Sequence, residues 1–297
     1  MSVVNEKFSD VLINLLQNNK NLVVLNSDAQ KYFEIIDVYR KFENRFFEFG
    51  LGVENMISAA VGFNARGKTP LLIGSSAKLI ARGWEQIRND IAYPNLNVKL
   101  LGVNYGLNSG VEGVSAQLLE DIAIMRPIAN MKIFSPCDAP ESIRLMDFMV
   151  KDYGPSYMRI HSGVWGLNLG VFSDPVLRNG SDICLFATGL MVSVCLEVAN
   201  MLEEEGISVM VVNISCIKPL DEKLIFELNS KVKISIAVEE HVSVGGLSDA
   251  VMTEYRVTVG DNFSQSGQKK DLYKLFGLDS EGVYLSVKGF LESINMV

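Results

Sequence analysis

Short, wholly apolar runs alternate along this chain with stretches whose apolar residues recur every three to four positions, and the alternation starts afresh in the second half. The runs "NLVVLNSD", "PLLIG", "VKLLGV", "MKIFSP" and "SYMRI" lack the in–out pattern of a half-exposed strand. A strand that is apolar on both faces belongs in a parallel sheet covered by helices on each side. The intervening segments supply those helices. In "FSDVLINLLQ", Phe8, Val11, Leu12, Leu15 and Leu16 share one helical face. Val53, Met56, Ile57, Ala60 and Val61 do the same in the next helix, which Gly67 closes. "KLIARGWEQIRNDIAY" reads as one long helix and "AQLLEDIAIM" as another. "DAPESIRLMDFMVKD" opens with Asp138 and Glu141 at capping-box spacing and Pro140 in the first turn. Residues 162–181, "SGVWGLNLGVFSDPVLRNGS", lose all periodicity and collect Gly, Asn, Ser and Pro, the composition of a connector. The alternation then resumes with "DICLFA", a helix around Val192–Glu205, "ISVMVVN", a helix begun at Pro219 and Asp221, and "VKISIAVEE". The expected fold class is α/β, with two domains of mostly parallel sheet flanked by helices. Their expected bounds are 1–163 and 182–297, with 164–181 as linker.

Composition narrows the function classes. At 48% hydrophobic and 21% charged residues, the 297-residue chain can fill both cores. A formal net charge of −8 argues against a nucleic-acid partner, because phosphate neutralisation needs clustered Lys and Arg. No apolar run reaches the roughly 18 residues of a membrane span, and "MSVVNEKFSD" lacks the basic-then-apolar pattern of a signal peptide. Cys137, Cys184, Cys195 and Cys216 show no CxxC spacing and read as reduced thiols of a cytoplasmic protein. The two histidines have no ligand-like spacing, so no metal site is expected on this chain.

Familiar catalytic signatures are missing: there is no GxSxG elbow, no Walker A loop, and no GxGxxG after the first strand. "GLNSGVEG" is a glycine-spaced loop at the carboxyl end of a strand, where open α/β sheets bind ligands. "VGDNF" lacks the downstream oxygen ligands of a metal–diphosphate motif and reads as a turn. Glu54, in "FFEFGLGVENM", is a carboxylate in a largely apolar run, which also holds Glu48, at a helix start. Such a residue is either a solvated group favoured by the helix dipole or a functional one.

Taken in order, "FFEFGLGVENM", "WEQIRNDIAYPNLNVKLLG", "LLEDIAIMRPIANMKIFSPCDA", "ATGLMVSV", "ISCIKPLDEKLI", "EEHVSVGGL" and "DNFSQSG" resemble transketolases, above all the C-terminal subunit of transketolases split into two chains. The resemblance runs from about residue 20 onward. Similarity to 1-deoxyxylulose-phosphate synthase and pyruvate dehydrogenase beta subunits is weaker but follows the same plan. It implies a pyrimidine-binding domain for thiamine diphosphate, followed by a transketolase C-terminal domain. It also places Glu54 at the family's cofactor-activating glutamate, whose carboxyl shares a proton with the aminopyrimidine. That chemistry calls for a carboxyl in a dry apolar pocket.

The resemblance also marks departures. Asn104 and Ala116 stand where the family carries histidines, Glu112 stands for an aspartate, and Ser162 occupies the place of a phosphate-binding arginine. Arg159 and His161 lie close by as substitute candidates for substrate binding. Ser75 and Lys78 hold the positions expected of an aromatic that stacks on the aminopyrimidine. Tyr105, Trp84 and Tyr93 either line the cofactor pocket or pack, Gln117 and Glu120 are equally open, and His241 reads as structural. The implied assembly contains two copies of each chain: this one, self-associating, and an N-terminal diphosphate-binding subunit holding Mg2+ or Ca2+. The implied reaction is transfer of a two-carbon ketol unit from a ketose to an aldehyde. The alternatives are acyloin formation with decarboxylation of a 2-ketoacid, and a non-catalytic regulatory subunit. The rebuilt sugar site implies either a substrate without a terminal phosphate or phosphate contacts supplied by the partner.

Overall fold

The computed structural model describes residues 7–29, 34–169 and 174–296. The apolar runs of the first half become β1 (Leu22–Ser27), β2 (Phe46–Glu48), β3 (Thr69–Ser75), β4 (Lys99–Val103), β5 (Lys132–Phe134) and β6 (Ser156–Ile160). The second half supplies β7 (Val176–Arg178), β8 (Ile183–Ala187), β9 (Val209–Asn213), β10 (Cys216–Lys218), β11 (Ile234–Val238) and β12 (Tyr255–Val257). Two sheets result, in the orders β10-β5-β6-β4-β3-β1-β2 and β12-β11-β8-β9-β7. Every pairing is parallel except the edge contacts of β10 with β5 and β7 with β9. β1, β4, β6, β8 and β9 are buried along their whole length, as two-sided apolar strands require.

Helices cover both faces. Phe8, Val11, Leu12, Leu15 and Leu16 of helix Phe8–Asn18 are buried, and helix Val53–Ala65 buries Val53, Met56, Ile57 and Ala60. Gly67 follows the latter at φ +76, a left-handed turn that suits glycine. Before helix Ala139–Lys151, the Asp138 carboxylate accepts the Glu141 N–H at 2.8 Å, and the Glu141 carboxylate accepts the N–H of Cys137 at 2.8 Å. Losing the Asp138 cap costs about 1 kcal/mol.

The halves interlock. β10 closes one edge of the first sheet with residues from the second half. Lys218 Nζ donates to the carbonyls of Arg126 and Ile128, each at 2.6 Å. Asn213 donates to the Glu141 carboxylate at 2.9 and 3.0 Å. Leu107, Leu119 and Cys137 pack into the same core as Met191, Leu202 and Val238.

Three segments differ from the sequence reading, and the strand Phe46–Glu48 is an element that reading lacks. The long helix is two π-helical turns, Ala77–Arg82 and Ile87–Ala92, separated by Gly83 and a short α-helical turn. "AQLLEDIAIM" is helical only over Asp121–Met125. Inside the stretch read as linker lie a short helix, Ser162–Trp165, and β7. Among the described residues no cysteine is disulfide-bonded, and no helix is long and apolar enough to cross a membrane.

Candidate active site

Parallel strands deliver their connecting loops to one edge of the sheet, and the candidate residues collect there. Asp28 follows β1, Glu54 follows β2, Lys78 follows β3, Asn104 follows β4 and His161 follows β6. At this edge a groove of about 280 Å³ runs between Lys78, Arg82, Ser115, Gln117 and Glu120 of the first half and Phe263 of the second.

Glu54 sits at the rim, in the first turn of its helix, with its side chain 40% exposed. Arg82 Nε and Nη2 donate to its Oε1 at 3.1 and 2.8 Å, and Nη2 also reaches Oε2 at 3.2 Å. Its own backbone N–H holds the carboxyl below the usual range, partial burial opposes this, and the hydrogen bond and charge of Arg82 add to the lowering. The expected dry pocket is therefore absent from this chain: the carboxylate is half-exposed and ion-paired. A first-turn residue at a sheet edge has protein on one side only.

Lys78 donates to Asp28 at 3.0 Å and lines the groove. Ser75 is 2% exposed at the end of β3 and does not line it. Trp84, expected at the cofactor, spends its indole N–H on the Ile124 carbonyl at 2.9 Å and packs on the core, so it is a packing residue. Gln117 and Glu120 do line the groove, whereas Tyr93 stands exposed on the surface.

The substrate candidates separate into two groups. Asn104, at φ +55, turns its amide inward to Ser109 and Asn108, which fixes the corner of the loop. The Ala116 carbonyl accepts from Ser109 at 2.9 Å, and Glu112 lies exposed on the same loop. Arg159 and His161, expected to touch substrate, are instead sealed between the halves at 1% and 0% exposure. Arg159 donates to Asp121 at 3.0 Å and to Ser135 Oγ at 3.0 Å, with its guanidinium carbon 4.2 Å from the Tyr105 ring centroid. His161 Nδ1 accepts the N–H groups of Gly163 and Val164, and its Nε2 lies 3.8 Å from the Glu240 carboxylate. Burial, then Arg159 and Lys269, push His161 down to about 3; burial pushes Glu240 up to about 7. Neither Arg159 nor His161 can reach a phosphate from here. His241 is also buried, its Nε2 accepting the Ala123 N–H across the domain junction.

Sequence reasoning missed Arg82, Asp121 and Glu240. Nothing in the chain order pairs Arg82 with a residue 28 positions earlier. The rim offers a carboxylate to an aminopyrimidine, held by an arginine that lines the groove. Among the described residues no group of three or more His, Cys, Asp or Glu could hold a metal ion.

Residues 3–164 match the family model of the transketolase pyrimidine binding domain, and residues 175–283 match that of the transketolase C-terminal domain. A putative transketolase C-terminal section from Methanocaldococcus jannaschii is 33% identical over 93% of this chain and 92% of its own length. An apulose-4-phosphate transketolase subunit from Phocaeicola vulgatus is 28% identical, covering 98% of each chain. A solved structure described as a split gene transketolase, inactive beta4 tetramer, superposes with a TM-score of 0.85 at 30% identity, over 97% of this chain and 98% of that one. A transketolase from Campylobacter jejuni shares the fold with a TM-score of 0.83 at 19% identity, over 95% of this chain and 45% of that one. Sequence and fold agree: the chain belongs to the transketolase family.

Proposed function

We propose that this chain is the cofactor-activating subunit of a two-chain, thiamine diphosphate-dependent enzyme that transfers a two-carbon ketol unit from a ketose donor to an aldehyde acceptor. The observation that carries the proposal is Glu54, a carboxylate held at the carboxyl edge of the sheet beside a groove that one chain leaves open. Relatives that cover nearly the same length support the subunit reading, two of them named as a subunit of an apulose-4-phosphate transketolase. A partner subunit would supply the metal and diphosphate contacts and cover the groove, with two copies of each chain in the assembly.

When bound, the cofactor supplies the carbon nucleophile and electron sink. Glu54 holds a proton against the aminopyrimidine, and the partner's cover dries the rim and strengthens that interaction. Lys78 and Gln117 shape the groove floor. Because Arg159 and His161 are sealed, contacts to any anionic end of the substrate fall to the partner or to the groove. In the assembled complex, Glu54→Gln should leave assembly intact and slow proton exchange at the thiazolium carbon by about a hundredfold or more, consistent with lost acid–base assistance. An exchange rate equal to that of the parent complex would remove Glu54 from the mechanism.

A further inference from the structure

Arg82 reaches Glu54 through an unusual piece of backbone. It ends the π-helical turn Ala77–Arg82, and such widened turns often occur at functional sites. Gly83 follows, packed so tightly on the Glu54 helix that a Cβ there would lie 2.1 Å from Ile57 Cδ1 and 2.6 Å from the Leu79 carbonyl oxygen. Ile57 stands one turn beyond Glu54. The glycine thus sets the distance between the two segments, and Arg82 spans what is left.

The grip is uneven. Oε1 receives two donors, at 2.8 and 3.1 Å, whereas Oε2 receives one at 3.2 Å. One oxygen is anchored and the other keeps most of its accepting capacity. Other charges near the rim are engaged elsewhere: Lys78 with Asp28, and Glu48 with the Asn26 side chain and the Gly50 N–H. Arg82 is the charged group that acts on the Glu54 carboxyl.

Resting on the reading of Glu54 above, we propose that Arg82 is its positioning residue. It anchors Oε1 through two donors and leaves Oε2, with a single longer contact, as the oxygen that can carry the proton shared with a heterocyclic nitrogen. Gly83 is the spacer that makes this grip possible. A guanidinium suits the task because its planar fork can hold one carboxylate in a fixed orientation, which an ammonium cannot.

The test compares Arg82→Met, Arg82→Lys and Gly83→Ala. In the isolated chain, carboxyl-carbon NMR should show Glu54 titrating at higher pH in Arg82→Met than in the parent. In the assembled complex, Arg82→Met should slow thiazolium proton exchange at least tenfold, change cofactor affinity less than threefold, and move the acid limb of the exchange–pH profile upward. Arg82→Lys should restore the limb but not the rate. Gly83→Ala should reproduce the slow exchange with Arg82 still present. An Arg82→Met complex with an exchange rate within threefold of the parent and an unmoved acid limb would overturn the inference, as would an unmoved Glu54 titration. Glu54→Gln separates the two levels. If that variant is slow while Arg82→Met is not, only the positioning role fails; if Glu54→Gln is itself unaffected, the reading of the site fails with it.

Discussion

An arginine–carboxylate pair at the groove and another between the domains use the same two groups in opposite ways. Glu54 and Arg82 meet at 2.8 Å with side chains 40% and 51% exposed, whereas Asp121 and Arg159 meet at 3.0 Å with 0% and 1% exposed. At the rim, water competes for both charges, the pair adds little to stability, and the carboxylate stays available to a ligand. In the interior, neither charge can return to water, so removing one strands the other. The buried pair is locked into the junction, and the exposed pair is the one a ligand can reach.

The contrast breaks first if the buried pair proves dispensable. Arg159→Met or Asp121→Asn should lower unfolding stability by about 3–5 kcal/mol in a urea titration. Replacing both with apolar residues of similar volume should recover much of that loss, because no lone charge remains. A single variant as stable as the parent would show that water reaches the junction.

A smaller effect lies in the pH dependence around the same junction. Burial moves Glu240 from 4.5 up to about 7, so its contribution is complete below its unfolded value and is lost as pH rises towards 7. His161 moves from 6.5 down to about 3, so its contribution is present above 6.5 and is lost as pH falls. Between 4.5 and 6.5 the slopes oppose each other, because the folded pair keeps its proton on Glu240 and the unfolded pair keeps it on His161. His161→Asn should therefore unmask a stability that falls by about 2–3 kcal/mol across that window as pH rises, and Glu240→Gln one that rises by a similar amount. Parallel slopes in the two variants would refute the opposed pair.

The smallest effect belongs to the rim. Arg82→Met and Glu54→Gln should each change stability by less than about 1 kcal/mol, as exposed ion pairs do. A loss as large as that of Arg159→Met would make the rim pair structural and erase the contrast.

The α/β class was legible because strands buried on both faces must be written as apolar runs, and β1, β4 and β8 are. The cap at Asp138 was legible because a capping box has a fixed local spacing. β10 was not, because it is stabilised by a sheet built from the other half of the chain. Glu54 was a candidate through its motif, but its exposure depends on what stands opposite, which local pattern does not encode. Arg159 misled for the converse reason. As an arginine at the end of a strand it resembles a ligand-binding residue, and only the arrival of Asp121, Glu240 and Tyr105 from distant segments buries it. The widened Ala77–Arg82 turn is followed by Gly83, where any Cβ would strike Ile57, a tertiary constraint with no sequence signature beyond one glycine.

The central claim is that this chain is one side of a shared site, with the carboxylate on its rim and the diphosphate contacts elsewhere. Calorimetric titration of thiamine diphosphate with Mg2+ into the purified chain, alone and with its diphosphate-binding partner, tests it most directly. The account predicts no saturation below the millimolar range for the chain alone, equivalent to less than about 4 kcal/mol of binding free energy, and tight, metal-dependent binding once the partner is present. Tight, metal-dependent binding by the chain alone would contradict it.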